Sequence, residues 1–167
     1  MILSDTCGEN HIFTNIKTCI LNGLTADIVL NYSNIKSQYC YEKPKLVLPH
    51  KMYGIPYFDK EGIYGVSTRD NYIISGNDYT YEELKEIQYF LSTKLTLFIF
   101  SCCNYRMRFL ERSAFSFIPA ITKIPNFPKL KNNDRENRDK LLYNFLNLSI
   151  SEIEYIENSF KNYKFFV

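Results

Sequence analysis

The residues best suited to chemistry sit in two short polar clusters. Pro49-His50-Lys51-Met52-Tyr53-Gly54 and Gly65-Val66-Ser67-Thr68-Arg69-Asp70-Asn71-Tyr72 set His, Lys, Arg, Ser, Thr and Asn at the ends of apolar runs. Side chains of these types at strand ends can reach phosphate oxygens or base edges, and the tyrosines beside them can stack or donate hydrogen bonds. The same residues also make ordinary polar turns, with Arg69 and Asp70 paired locally. A third group is Arg106, Arg108 and Arg112, with Glu111 between them. On a helix, positions 108 and 112 share a face and 106 lies well away, so at most two guanidinium groups converge. Such a pair can hold a phosphate, or equally Glu111, Glu61 or a helix C-terminus.

Catalytic patterns are absent from the sequence. There is no G-x-G-x-x-G after a strand, no phosphate loop, no G-x-S-x-G and no H-E-x-x-H. A dyad of His50 with one of the five cysteines (Cys7, Cys19, Cys40, Cys102, Cys103) is compatible with spacing. A hydrogen-bonded, partly exposed His50 is the plainer expectation. The cysteine number is odd, the spacing irregular, and no C-x-x-C is present, so neither a disulfide framework nor a zinc site is expected. Reduced, mostly buried thiols in a cytosol-like compartment are expected instead. No metal and no cofactor are called for.

Positioning those residues requires a fold, and the chain is long enough for one. Its 167 residues are 46% hydrophobic and 23% charged, suited to a single packed domain over 1–167. The longest apolar run, Leu95 to Cys103, is about half of the ~20 residues a membrane span needs. Net charge is only +2, but residues 94–140 hold ten Lys/Arg against four Asp/Glu. The positive charge is thus concentrated in one middle stretch. The abundance of Lys, Asn, Ile and Tyr also suits an AT-rich coding genome, as in some bacteria and large DNA viruses.

The pattern predicts an α+β fold. An N-terminal segment, 1–44, carries one short strand at Thr25–Leu30. A β-rich part, 45–79, follows, with strands at Lys45–Pro49, Tyr53–Phe58, Ile63–Val66 and Asn71–Ser75. Asp59-Lys60-Glu61-Gly62 is of hairpin size, so a small tyrosine-rich sheet is expected. A helical part occupies 80–167. Thr80-Tyr-Glu-Glu83 has the capping-box form, and Leu84, Ile87, Leu91, Leu95 and Phe98 recur at helical spacing, predicting one long helix. Further helices are expected over Met107–Ala114, Asp134–Asn147 and after Ser149, with an extended strap from Pro119 to Asn133.

Four motifs then occur in a telling order: Tyr64-Gly65-Val66-Ser67, Phe90-Leu91-Ser92-Thr93-Lys94-Leu95, Phe115-Ser116-Phe117-Ile118-Pro119, and Leu148 through Glu157. Together they resemble the C-terminal target-recognition region of type IIG-like and related adenine-specific restriction-modification DNA methyltransferases. The likeness covers about residues 45 to 163. The methyltransferase tetrapeptide Asn/Asp-Pro-Pro-Tyr/Phe, a glycine-rich cofactor loop and a nuclease pattern are all lacking. What the resemblance implies is a non-catalytic recognition module for duplex DNA, acting with a separate catalytic subunit or another protein. Lys51, Arg69, Lys94, Arg106, Arg108 and Arg112 would then contact phosphates, and His50, Ser67, Thr68 and Asn71 would face base edges. The alternative expectation is a structural or protein-interaction component, for example of a virus particle, that reuses the fold.

Overall fold

The computed structural model describes residues 1–22, 25–37, 42–50, 55–66, 71–103 and 110–160. Its class is α+β, as the pattern predicts, but the β part is two sheets rather than one. A four-stranded sheet has the order β1-β3-β2-β6, and a three-stranded sheet the order β5-β4-β7. Their residue ranges are β1 Leu3–Ser4, β2 Phe13–Asn22, β3 Thr25–Ser33, β4 Lys45–Pro49, β5 Tyr57–Asp59, β6 Gly65–Val66 and β7 Asn71–Ser75. The helices are α1 Tyr81–Leu91, α2 Lys94–Cys102, α3 Arg135–Phe145 and α4 Ile150–Phe160.

Strand β4 is the hinge of the architecture, because all five of its residues are buried. Alternation sends successive side chains to opposite faces. Leu46 and Leu48 join Leu84, Ile87, Phe90 and Leu91 of α1 and Phe100 of α2 in the larger core. Val47 points the other way, into a smaller core with Ile16, Cys19 and Val66 from the four-stranded sheet. Each such fully buried aliphatic side chain stabilises by about 1.5–3 kcal/mol.

The expected hairpin over 53–66 does not form. Strand β5 pairs antiparallel with β4, whereas β6 pairs parallel with β2 in the other sheet. Asp59 turns the chain between them: its carboxylate accepts the N–H groups of Ile63 and Tyr64, both at 3.1 Å, and an ion pair from Lys45 Nζ at 2.5 Å. Gly62 completes the turn at φ 69°, with a Cβ there falling 2.2 Å from the Lys43 backbone nitrogen.

The long helix is also two. Ser92 Oγ donates to Gln88 O at 2.7 Å, and Thr93 Oγ1 donates to Phe90 O at 2.7 Å while accepting Thr96 N–H. These hydroxyls compete for backbone groups, ending α1 and recapping the chain as α2. At the start of α1 the capping box is present: Thr80 N–H donates to Glu83 Oε2 at 2.7 Å, and Glu83 N–H to Thr80 Oγ1 at 3.3 Å. Ser149 and Glu152 repeat it before α4. Thr80→Ala is expected to lower stability by about 1 kcal/mol in urea unfolding, with Thr80→Ser nearly neutral; a loss unchanged by Ser would show that the methyl, not the cap, matters.

The helix expected over 107–114 is replaced, within the described residues, by a 3₁₀ helix at Arg112–Phe117. The proline-rich strap crosses the surface with one 3₁₀ turn, Ile121–Lys123, and is anchored by buried Glu86, whose Oε2 accepts Leu130 N–H at 2.8 Å. Arg138 adds a bond from Nε to Leu130 O at 2.9 Å while its guanidinium lies 3.7 Å over the Tyr89 ring. Among the described residues, no helix is long and apolar enough to cross a membrane.

Candidate nucleic-acid interface

The antiparallel register of β4 and β7 places Pro49 opposite Asn71 and Leu48 opposite Tyr72. His50, the next residue after β4, therefore lies beside the start of β7. Its ring packs on Tyr72, with centroids 4.4 Å apart, and Tyr72 in turn meets the edge of Phe115 at 5.0 Å. Phe115 belongs to the 3₁₀ helix that Arg112 opens, so the guanidinium arrives at the same place from a third segment. His50, Asn71, Tyr72, Arg112, Phe115 and Ser116 line one open cavity of about 710 Å³.

Hydrogen bonds tie the three segments together. Tyr72 donates its hydroxyl proton to Leu110 O at 2.9 Å, and Leu110 N–H donates to His50 O. Asn71 Nδ2 donates to Lys17 O at 2.9 Å, fixing the edge to the neighbouring sheet. Burial and the Glu111 carboxylate push the Tyr72 phenol up, with Arg112 opposing. The phenol stays protonated at neutral pH and remains a donor.

Three of the expected contact residues, His50, Asn71 and Arg112, are thus brought together. Lys51, Ser67, Thr68, Arg69, Arg106 and Arg108 lie outside the described residues.

Lys94 is placed elsewhere. It opens α2 and pairs through Nζ with Glu157 of α4, beside a separate cavity of about 620 Å³ that Arg135, Asp139, Lys140 and Tyr143 also line. Tyr143 donates to the other oxygen of Glu157 at 3.0 Å. Asp139, 2% exposed, accepts the Lys94 N–H at 2.8 Å on Oδ1, and its Oδ2 has no hydrogen-bond partner among the described residues. Burial raises its carboxyl to about 6 against the pull of that bond and of the Lys94 charge, and Glu157 adds to the rise. Asp139 is absent from the sequence expectations. The available signal was its spacing, three and four residues before the buried Leu142 and Tyr143, which places a carboxylate on the apolar stripe of α3.

Much of the basic stretch is engaged internally: Lys131 with Glu82 at 2.8 Å, Lys140 with Glu136 at 2.7 Å, and Lys94 and Arg138 as described. Among the thiols, Cys19 is buried and pushed up to about 12, mainly by burial, which makes it a poor nucleophile. The expectation of mostly buried thiols needs correction, since Cys7 and Cys102 are exposed and Cys103 is half-buried. Cys7 falls in the loop between β1 and β2, Cys102 ends α2 and Cys103 caps it against the larger core, while Cys40 lies outside the described residues. Among the described residues no group of three or more His, Cys, Asp and Glu is arranged to hold a metal ion. Comparison with protein-family models, curated proteins and solved structures gave no match to this chain.

Proposed function

We propose that the chain is a non-catalytic DNA-binding module, of the target-recognition kind its four motifs resemble, and that it meets DNA at the end of β4 and β7. The observation that supports this is the convergence of His50, Asn71 and Arg112, from three separate segments, on one open cavity. Arg112 supplies a guanidinium for phosphate or guanine and His50 a partly exposed ring, while buried Asn71, its Nδ2 held by Lys17 O, fixes the start of β7 beside them. Binding to duplex DNA across a salt series tests it. The expected log affinity falls linearly with log salt, and Arg112→Ala weakens binding about tenfold while lowering the slope by about 1. No binding to DNA at low salt, duplex or single-stranded, or affinity indifferent to salt, would sink the reading.

A protein-interaction role is the second reading, favoured by the internal pairing of the basic stretch and by Ile150 and Tyr155, which are 77% and 67% exposed on α4. In that case Ile150→Asp/Tyr155→Ser abolishes partner capture and leaves the salt series flat.

A further inference from the structure

We infer that the cleft of His50, Tyr72 and Phe115 takes an unpaired nucleobase, so that the module prefers single-stranded DNA to fully paired duplex. The inference rests on the DNA-binding reading above and adds the form of the ligand. Three rings from three segments form a continuous series, with centroid separations of 4.4 Å from His50 to Tyr72 and 5.0 Å from Tyr72 to Phe115. Phe100 of α2, 1% exposed, backs Phe115 at 5.3 Å, so the series is anchored in the larger core. His50, Tyr72 and Phe115 are themselves only half-buried and all line the open cavity.

The Tyr72 hydroxyl is committed to Leu110 O. Its ring is covered by His50 and by the edge of Phe115, so the face the series leaves for a ligand is that of the half-buried His50 ring. A ring face recognises another π-face, and in a duplex those faces are covered by stacking above and below each pair. Only a base freed from its neighbours can use such a platform, whereas the base edges of intact duplex are read by amides and guanidinium groups. The open cavity, of about 710 Å³, leaves room for one base to lie against the rings with its sugar toward solvent. Exposed Arg112 at the rim is placed for the phosphate attached to that sugar.

The test uses the full chain with one oligonucleotide, carrying 2-aminopurine at a single position, free or annealed to its complement. Expected results are single-strand affinity about tenfold or more above duplex, and a fluorescence change on binding that reports stacking of the probe base. His50→Ala should lower single-strand affinity about 5- to 10-fold and duplex affinity by a clearly smaller factor. Equal affinities for the two forms, or a His50→Ala loss shared equally between them, would overturn the base platform and leave the DNA-binding reading standing. Binding to neither form overturns both.

Discussion

Asp59→Ala is expected to destabilise the chain by about 3–5 kcal/mol, a large share of the ~5–15 kcal/mol that holds a domain of this size together. Lys45 lies at the centre of the β structure with its side chain 0% exposed, and Asp59, directly opposite on β5, is 2% exposed. Removing the carboxylate leaves an ammonium in the core without that partner and also strips the acceptors from Ile63 N–H and Tyr64 N–H. The turn that carries the chain from the three-stranded to the four-stranded sheet loses its organiser. Asp59→Asn keeps an acceptor for the turn but not the charge, so its loss should fall between the parent and Ala. Lys45→Met combined with Asp59→Ala removes both ions and should recover part of the loss, because the desolvation cost of the ammonium disappears with it. Urea unfolding of the four proteins is the measurement. An Asp59→Ala loss under about 1 kcal/mol would mean the pair is hydrated and contributes as a surface pair does.

That ion pair illustrates where the sequence speaks and where it is silent. Strands β4 and β7 and helices α1, α3 and α4 are legible because local signals mark them: apolar runs closed by proline or glycine, and caps at Thr80, Asp134 and Ser149. Strand β2 is not legible. Its buried Ile16 and Cys19 are three residues apart, and they share the smaller core only because the pairing with β3 shifts register between Ile16 and Thr18. A bulge of this kind breaks the period of two on which strand reading depends. Buried Asn15, held by Asn15 Nδ2 to Ser33 Oγ at 2.9 Å, disguises the strand further. The split of the sheet was hidden for a different reason, since Asp59 reads as an ordinary turn residue until Lys45 is found opposite it. At the candidate interface, residue types at strand ends pointed to His50 and Asn71, but their aromatic neighbours Tyr72 and Phe115 come together only through tertiary packing. The basic stretch misled in the opposite sense: net charge per segment says nothing of which partners the fold will supply, and here Glu82, Glu136 and Glu157 take up three lysines.

The chain should become more stable as pH falls from about 7.5 to about 5, and Asp139→Asn should abolish most of that gain. Asp139 has its carboxyl raised from 3.8 to about 6 in the folded state, first by burial. A raised acid binds its proton more tightly folded than unfolded, so its ionised form penalises the fold above about pH 6, and the penalty is relieved as the group protonates. A rise of that size corresponds to roughly 3 kcal/mol. The carboxylates held low, Glu82 by Lys131, Glu83 by Thr80 and Glu152 by Ser149, act in the opposite direction, losing their contribution only as pH falls through their ordinary range and below. Between pH 5 and 7.5 their effect is flat, which isolates Asp139. Asn at this position keeps an oxygen for the Lys94 N–H but gives up the negative charge at the N-terminus of α2, worth about 0.3–1 kcal/mol. The variant should therefore exceed the parent by about 2–3 kcal/mol at pH 7.5, keep about half of that lead at pH 5, and fall level with it only below about pH 4. Parallel profiles for the two proteins would show that Asp139 carries no excess proton affinity. A carboxylate that costs more than it stabilises at neutral pH, while joining α3 to the first turn of α2 beside the Lys94–Glu157 pair, trades stability for a fixed arrangement of three helices.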